Sequence, residues 1–408
     1  MESPTQATDT DSIIASISRL ADELATGSNL TTDQEKHLRA VCQKVLSGLR
    51  KSSLQVEFPE KTAIKIALDM GVFDFVCGSD RDEFTVNEIA KHTSADPVLV
   101  ERIMRALVLS RLFSPTSRDT YKANRSVQNL APGAHMRDMV NFTHDVADST
   151  LLKLPEFLAK NKYRNPDRAD ATAFQHAHQT DEPFYNWLQR RSSIYSAFCG
   201  MMKSTEDFAA RWPDLFPVCE RFHQFRQPHA QQTLKVVDIA GGTGHNMQRL
   251  VDRMPGLKGD LILQDHAEVL ANRASDLDAR IRGMPHNFFD AQPVKGADVY
   301  ALTRVLHNWP DQECRRILEH IAIAMTHDSI LLIGDKVFPT GAAEVSAADV
   351  MADMSMMMLL GGMERTEAQF RQLLSSVGLE VVRIWRSPGP IKNHEGLLEV
   401  KLADGAKP

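Results

Sequence analysis

Residues 300–318 read YALTRVLHNWPDQECRRIL, an apolar run that ends in His307 just before Asn-Trp-Pro-Asp breaks the chain and a helix begins. A neutral imidazole at such a strand end can take a proton from a hydroxyl near pH 7, provided its neighbours fix the ring and stabilise the charge it gains. The same position suits a packing or capping histidine, or the remnant of an active site put to another use. A second stretch, VVDIAGGTGHNMQRL (236–250), sets Asp238 at a strand end before Gly241, Gly242 and Gly244, and then a helix. Glycines here let the backbone turn tightly and let a ligand approach the helix N-terminus. The spacing departs from the dinucleotide fingerprint, because Met247 holds the place of its third glycine, and no Lys-Ser/Thr pair makes a P-loop. Asp265 closes the next apolar run in LILQDHAEVL. A carboxylate there can accept hydrogen bonds from two vicinal ribose hydroxyls, or can cap the helix that follows. Further on come His286, Asn287, Phe288 and Phe289, where a polar side chain followed by an aromatic could hold the edge and face of an adenine.

Such residues act together only if a scaffold brings strand ends to one crevice. From Thr233 the runs TLKVVDIA, DLILQD, ADVYALTRVLH, SILLIGDKVF and LEVVRIW are short, apolar and rich in β-branched residues, with helical segments between most of them. That alternation predicts a Rossmann-like, doubly wound and mostly parallel α/β sheet buried on both faces, beginning near residue 230. Upstream the pattern is helical. Apolar spacing predicts helices over 12–49, 61–76 and 94–113, with Thr85 as an N-cap between the last two. FSPTSRDTYKANR adds a short β-like segment, completing a winged-helix pattern. A packing and dimerisation module is the bland reading of that pattern, and DNA binding the bold one; no clustered basic recognition helix supports the latter. KNKYRNPDRADATAFQHAHQTD reads as a polar loop, and FYNWLQRRSSIYSAFCGMMK as an apolar helix whose Phe184, Trp187 and Tyr195 serve the core, a subunit interface or a pocket wall.

Composition narrows the classes further. The chain has 408 residues, 43% apolar and 25% charged, enough for more than one packed domain. A formal charge of −6 argues against a nucleic-acid partner. No apolar run reaches membrane-spanning length, and the N-terminus lacks the basic flank and apolar core of a secretory signal. The five cysteines are scattered with no CxxC pair, which fits a reducing, cytoplasmic setting and gives no metal site.

Taken in order, VVDIAGGTGH, LQDHAEVL, HNFFDAQPVKGADVY, LHNWPDQECRRIL, ILLIGDKVFP and GGMERTEAQFRQLL resemble the class I S-adenosylmethionine-dependent O-methyltransferases of the plant caffeic-acid type, in their fungal secondary-metabolism branch. The resemblance is close over the C-terminal 175 residues and looser over the N-terminal region, which is similar to the family's all-helical winged-helix dimerisation domain. It implies three parts: a dimerisation domain (1–130), a helical linker contributing to the substrate pocket (131–230) and a cofactor-binding catalytic domain (231–408). It further implies a homodimer acting on a phenolic or enolic small molecule with S-adenosyl-L-methionine as cofactor. By the same resemblance Asp238, Gly241, Gly242 and Gly244 line the cofactor's methionine end, Asp265 its ribose, and Asn287 with Phe288 its adenine. His307 falls on the general base, and Asp335 and Glu364 on the flanking acids. Four positions depart from the family pattern: Ala240, Asn287, Asn308 and, above all, Thr303, where relatives carry Lys or Arg beside the cofactor. These departures keep open the family's other activity, in which a methyltransferase-like pericyclase uses the sulfonium as a fixed charge without transferring its methyl. In that case His144 or His135 would reach the substrate from the N-terminal half. The run DVMADMSMMMLLGGMER, including Met358 and Met363, reads as core or as a malleable wall for a polyketide-like substrate.

Overall fold

A computed structural model of the protein describes residue 31 and residues 60–206, 211–226, 233–271, 277–341, 345–386 and 394–405. The helix expected over 12–49 lies outside them. Among the described residues no helix is long and apolar enough to cross a membrane.

The C-terminal half is the expected doubly wound sheet. Its strands are β4 (Leu234–Ile239), β5 (Gly259–Asp265), β6 (Ile281–Pro285), β7 (Val299–Thr303), β8 (Ile330–Phe338), β10 (Leu379–Arg386) and β11 (Glu395–Leu402), in the order β10-β11-β8-β7-β4-β5-β6. The short β9 (Arg365–Thr366) pairs beside β8. From β8 through β6 the pairing is parallel, and β11 and β10 run antiparallel at one edge. The chain moves from β4 outward to β5 and β6, then returns to β7 on the other side of β4. This reversal opens a crevice above the carboxyl ends of β4 and β7, where ligands bind in such sheets.

Both sheet faces are covered. Val237, Tyr300, Leu302 and Ile333 pack under Ile317, Ile321, Phe370 and Leu374 of helices Asp311–Ala322 and Glu367–Ser375. Val236, Leu261, Ala301 and Leu332 pack under Met247 and Leu250 of helix His245–Arg253 and under Trp212 and Phe216. Three strands of this sheet escaped the sequence reading, β6, the two-residue β9 and β11. β6 is short, with Arg282, Gly283 and Pro285 diluting its apolar pattern. β11 carries Glu399 at its centre, and that buried acid accepts from Arg221 and, at 3.1 Å, from Trp385 Nε1.

In the N-terminal half, the helix expected over 61–76 is two helices, Glu60–Asp69 and Val72–Cys77, because Gly71 takes a left-handed conformation (φ 80°) between them. Thr85 caps helix Val86–Thr93 in a reciprocal box with Glu88. Helix Pro97–Leu109 follows, capped by Asp96. The strands β2 (Phe113–Pro115) and β3 (Thr120–Ala123) form the expected hairpin, and β1 (Glu83–Thr85) extends it to three strands.

Beyond it, residues 135–160 run as α-helix His135–Phe142, π-helix Thr143–Asp148 and α-helix Ser149–Lys160. The Val146 carbonyl in the π segment accepts from Ser149 Oγ (2.9 Å) and Thr150 Oγ1 (2.8 Å), with His178 Nε2 at 3.4 Å. The polar stretch expected as loop contains helix Ala173–His178, nucleated by a Thr172/Gln175 capping box. The apolar helix expected from Phe184 is two, Phe184–Gln189 and Ser192–Glu206. These helices share a core with Met358, Leu359 and Leu360 of the methionine-rich helix Ala347–Leu360.

Candidate active site

His307 sits in a single helical turn, Leu306–Asn308, directly after β7. Asp335 stands on the adjacent β8, and Glu364 immediately precedes β9. The three converge: His307 Nδ1 is 3.1 Å from Glu364 Oε1 and 3.9 Å from Asp335 Oδ1. The histidine side chain keeps 15% exposure, against 2% for Glu364 and 0% for Asp335. An ionised carboxylate only accepts, so Nδ1 carries the hydrogen and Nε2 keeps its lone pair. Burial pulls the imidazole toward neutrality, but the Asp335 charge and the Glu364 hydrogen bond and charge outweigh it and raise its pKa, with Arg304 opposing. Asp335 is itself pushed up to about 6 by burial, and both its oxygens are enclosed without a hydrogen-bond partner among the described residues.

The backbone that carries these groups is tightly constrained. After helix Ala347–Leu360, Gly361 turns left-handed (φ 68°) and Gly362 passes against the His307–Trp309 backbone. A Cβ on Gly362 would overlap the His307 carbonyl and lie 2.8 Å from Asn308 C, so only glycine lets the segment come near enough to place Glu364. Arg365, fully buried, clamps the other side. It donates to Leu306 O (2.7 Å), Trp309 O (2.9 Å) and Asp311 Oδ1 (2.8 Å), closing the loop around His307.

Across the crevice, the glycine loop follows β4. Asp238 is fully buried with neither carboxylate oxygen hydrogen-bonded among the described residues, and a Cβ on Gly241 would meet Asp238 Oδ2 at 2.7 Å and Leu263 Cδ1 at 2.5 Å. Gly242 (φ 60°) and Gly244 (φ 96°) hold the turn open. Burial, reinforced by the Asp265 charge, lifts Asp238 to about 7. Asp265 accepts from Gly242 N (2.9 Å) and His266 N (2.7 Å), which fixes its carboxylate and leaves lone pairs for a further donor. Enclosed acid, glycine cradle and second fixed acid fit a ligand with an ammonium at one end and vicinal hydroxyls further along.

This arrangement gives a pH-dependent stability. A carboxyl whose folded pKa is raised from near 4 to about 7 contributes stability at low pH that is lost as pH rises between those values. Asp238→Asn is therefore expected to raise the melting temperature of the ligand-free protein at pH 8, with the gain shrinking toward pH 4; thermal scans across that range measure it.

The other expected site residues divide. Asn287 Oδ1 accepts from Phe289 N (3.1 Å), and Phe288 packs on Phe289 and, at 6.1 Å between centroids, on Trp309, linking this loop to that of His307. Thr303 ends β7 facing Gly334, and its hydroxyl is enclosed and unpartnered among the described residues. The next residue, Arg304, exerts its charge on His307, Asp335 and Tyr185. Phe184 and Trp187 are buried in an aromatic cluster with Phe142 and Phe174, and Met358 is equally buried. Met363 is half-buried beside Gln369. His144 lies in the π segment, half-exposed and 3.3 Å from Asp145. Tyr195 hydrogen-bonds Cys199 and feels the charges of Asp265 and Glu268, which puts it on the glycine-loop side.

Sequence reasoning passed over Tyr185, Asp353 and Arg365. The Tyr185 ring is tilted against Trp309 with centroids 6.4 Å apart, and burial raises its phenol to about 12. A lone acid in a methionine run and an arginine directly after Glu364 were the available signals for the other two.

Known proteins match both halves of the chain. Residues 218–380 match the model of the O-methyltransferase domain, and residues 54–131 that of the O-methyltransferase dimerisation domain. The demethylsterigmatocystin 6-O-methyltransferase of Aspergillus parasiticus is 33% identical over 319 residues, covering 78% of this chain and 80% of the relative. Among solved structures, a LepI variant in complex with S-adenosylhomocysteine and a substrate analogue superposes with a TM-score of 0.80 at 26% identity, covering 96% of this chain and all of that one. A chain described as a pericyclic reaction enzyme superposes at 0.78 and 26% identity, covering 96% and 99%.

Proposed function

The chain belongs to the O-methyltransferase family, with S-adenosylmethionine as its cofactor, and on that premise we propose that it methylates a phenolic or enolic hydroxyl of a polyketide-type secondary metabolite. The observation that carries this reading is His307 hydrogen-bonded to Glu364 beside the buried Asp335. When bound, the cofactor supplies a methyl group made electrophilic by its sulfonium. The remaining work falls to the chain's own groups. His307 Nε2 takes the acceptor's hydroxyl proton, and the imidazolium so formed is stabilised by Glu364 and Asp335. Asp238 and the glycine loop hold the methionine end, Asp265 the ribose, and Asn287 with Phe288 the adenine. Tyr185, Trp309 and the half-buried methionines of helix Ala347–Leu360 line the acceptor side. The dimerisation segment supports a homodimer, and the scattered cysteines fit a cytoplasmic one.

Because the flanking acids raise the His307 pKa, its neutral, basic form is reached at higher pH than for a free histidine. Turnover is expected to climb with pH through that raised value. Glu364→Gln removes one of the charges responsible, so the acidic limb of the kcat profile moves to lower pH while the maximal rate falls.

A second reading, pericyclic ring closure with the cofactor retained, is favoured by the likeness to the pericyclic reaction enzyme and by the departure at Thr303. One assay separates the two. Incubation with demethylsterigmatocystin and related hydroxylated polyketides, with S-adenosylhomocysteine quantified, should give one equivalent per methylated product. A rearranged product from a polyene substrate without S-adenosylhomocysteine would replace the first reading by the second.

A further inference from the structure

Glu364 is held at its side chain by His307 alone among the described residues: its Oε1 accepts from the imidazole, and its Oε2 is enclosed with no partner there. A carboxylate fixed at one end by the ring it is meant to orient cannot itself orient that ring, so its backbone must be anchored independently. The anchor comes from helix Ala347–Leu360. Asp353 Oδ1 accepts from the Glu364 N–H at 2.9 Å, across eleven residues of chain. The helix that presents Asp353 is itself fixed. Its N-terminus is tied by the Ser346/Asp349 capping box and by Lys336 Nζ to Asp349 Oδ1 at 2.9 Å, and Lys336 is the residue after Asp335. Asp353 lies one turn beyond Asp349 on the same helix face. The C-terminus is wedged by Gly361 against Arg168 O and by Gly362 against the His307 backbone.

We infer that Asp353 is a positioning residue: its carboxylate staples the Gly-Gly-Met-Glu turn shut, so that Glu364 meets His307 Nδ1. A charge-assisted hydrogen bond to a buried backbone N–H is a strong one, and its loss leaves that N–H unsatisfied beside the catalytic histidine.

The inference rests on the base role proposed for His307, but its test needs no acceptor. Full-length protein labelled at histidine and saturated with S-adenosylhomocysteine is titrated by NMR, with the His307 signal assigned by its loss in His307→Gln. In Asp353→Ala the His307 pKa should fall back toward the ordinary histidine value, while Asp353→Asn, which keeps the accepting oxygen, should titrate like the parent. In the parent, the Glu364 amide should be among the slowly exchanging ones. Parent-like titration of Asp353→Ala, equal displacement in Asp353→Asn, or rapid exchange at the Glu364 amide would each overturn the assignment. The exchange measurement decides the matter if the alanine variant does not fold. Once an acceptor is found, Asp353→Ala should lose about tenfold or more in kcat with KM held, the pattern of a group that acts only on the reacting geometry. Absence of methyl transfer with every acceptor would count against the base role and leave the titration result standing.

Discussion

Replacing His307 with alanine is expected to slow methyl transfer by about 10²–10⁴-fold, the usual contribution of a positioned general base. Cofactor affinity should be unchanged, because the groups proposed to hold the cofactor follow β4, β5 and β6, whereas His307 follows β7. Calorimetric titration with S-adenosylhomocysteine beside the turnover assay checks both halves. Near-parental turnover would remove the histidine from the mechanism. Unchanged formation of a ring-closed product would move the protein to the pericyclic reading. His307→Gln should behave like alanine, since an amide can accept a hydrogen bond but does not take up a proton near neutral pH.

The second large effect concerns stability. Arg365→Ala should destabilise the fold by about 2–5 kcal/mol, because Leu306 O and Trp309 O each lose a charged donor, leaving Leu306 O with the Trp309 N–H and the weak Cys314 thiol and Trp309 O with that thiol, while the emptied side-chain site is buried. Arg365→Lys should recover only part of this, as one ammonium does not reproduce the planar fork that reaches three acceptors at once. Urea denaturation followed by tryptophan fluorescence gives the number. The residual folded population should also turn over slowly, since the clamp closes the very loop that holds His307. An unshifted midpoint would mean that the loop is held by its glycine contacts alone.

The sheet was legible because parallel strands buried on both faces must be nearly all apolar, and VVDIA, LILQ, VYALT and ILLIG could be little else. Strands that break this rule were not legible. β11 tolerates Glu399 at its centre only because Arg221 and Trp385, distant in sequence, meet it there. The same limit governed the site. His307, Glu364, Asp238 and Asp265 each lie at a strand end or adjoin a short strand, where periodicity stops and a polar residue stands out, and Asp335 interrupts the apolar run ILLIG of β8. The side chains that hold them do not announce themselves in this way. Asp353 sits inside a helix, and its importance lies in a hydrogen bond to a residue eleven positions away. Phe184 and Trp187 show the converse: aromatic density flags a region, yet it was the neighbouring Tyr185 that the fold turned toward Trp309.

The π segment at Thr143–Asp148 carries a consequence for descent. An α-helix advances about 100° per residue, so an extra residue would ordinarily rotate everything downstream to a new face. Widening the hydrogen-bond ladder locally absorbs that residue instead. Leu154 and Phe157 after the segment, and Phe142 before it, all still point into one core. The displaced Val146 carbonyl is taken up by Ser149, Thr150 and His178. Those three polar side chains serve a carbonyl that the wider ladder sets apart, so a homologue whose helix runs regularly through this region would have no such carbonyl for them to serve.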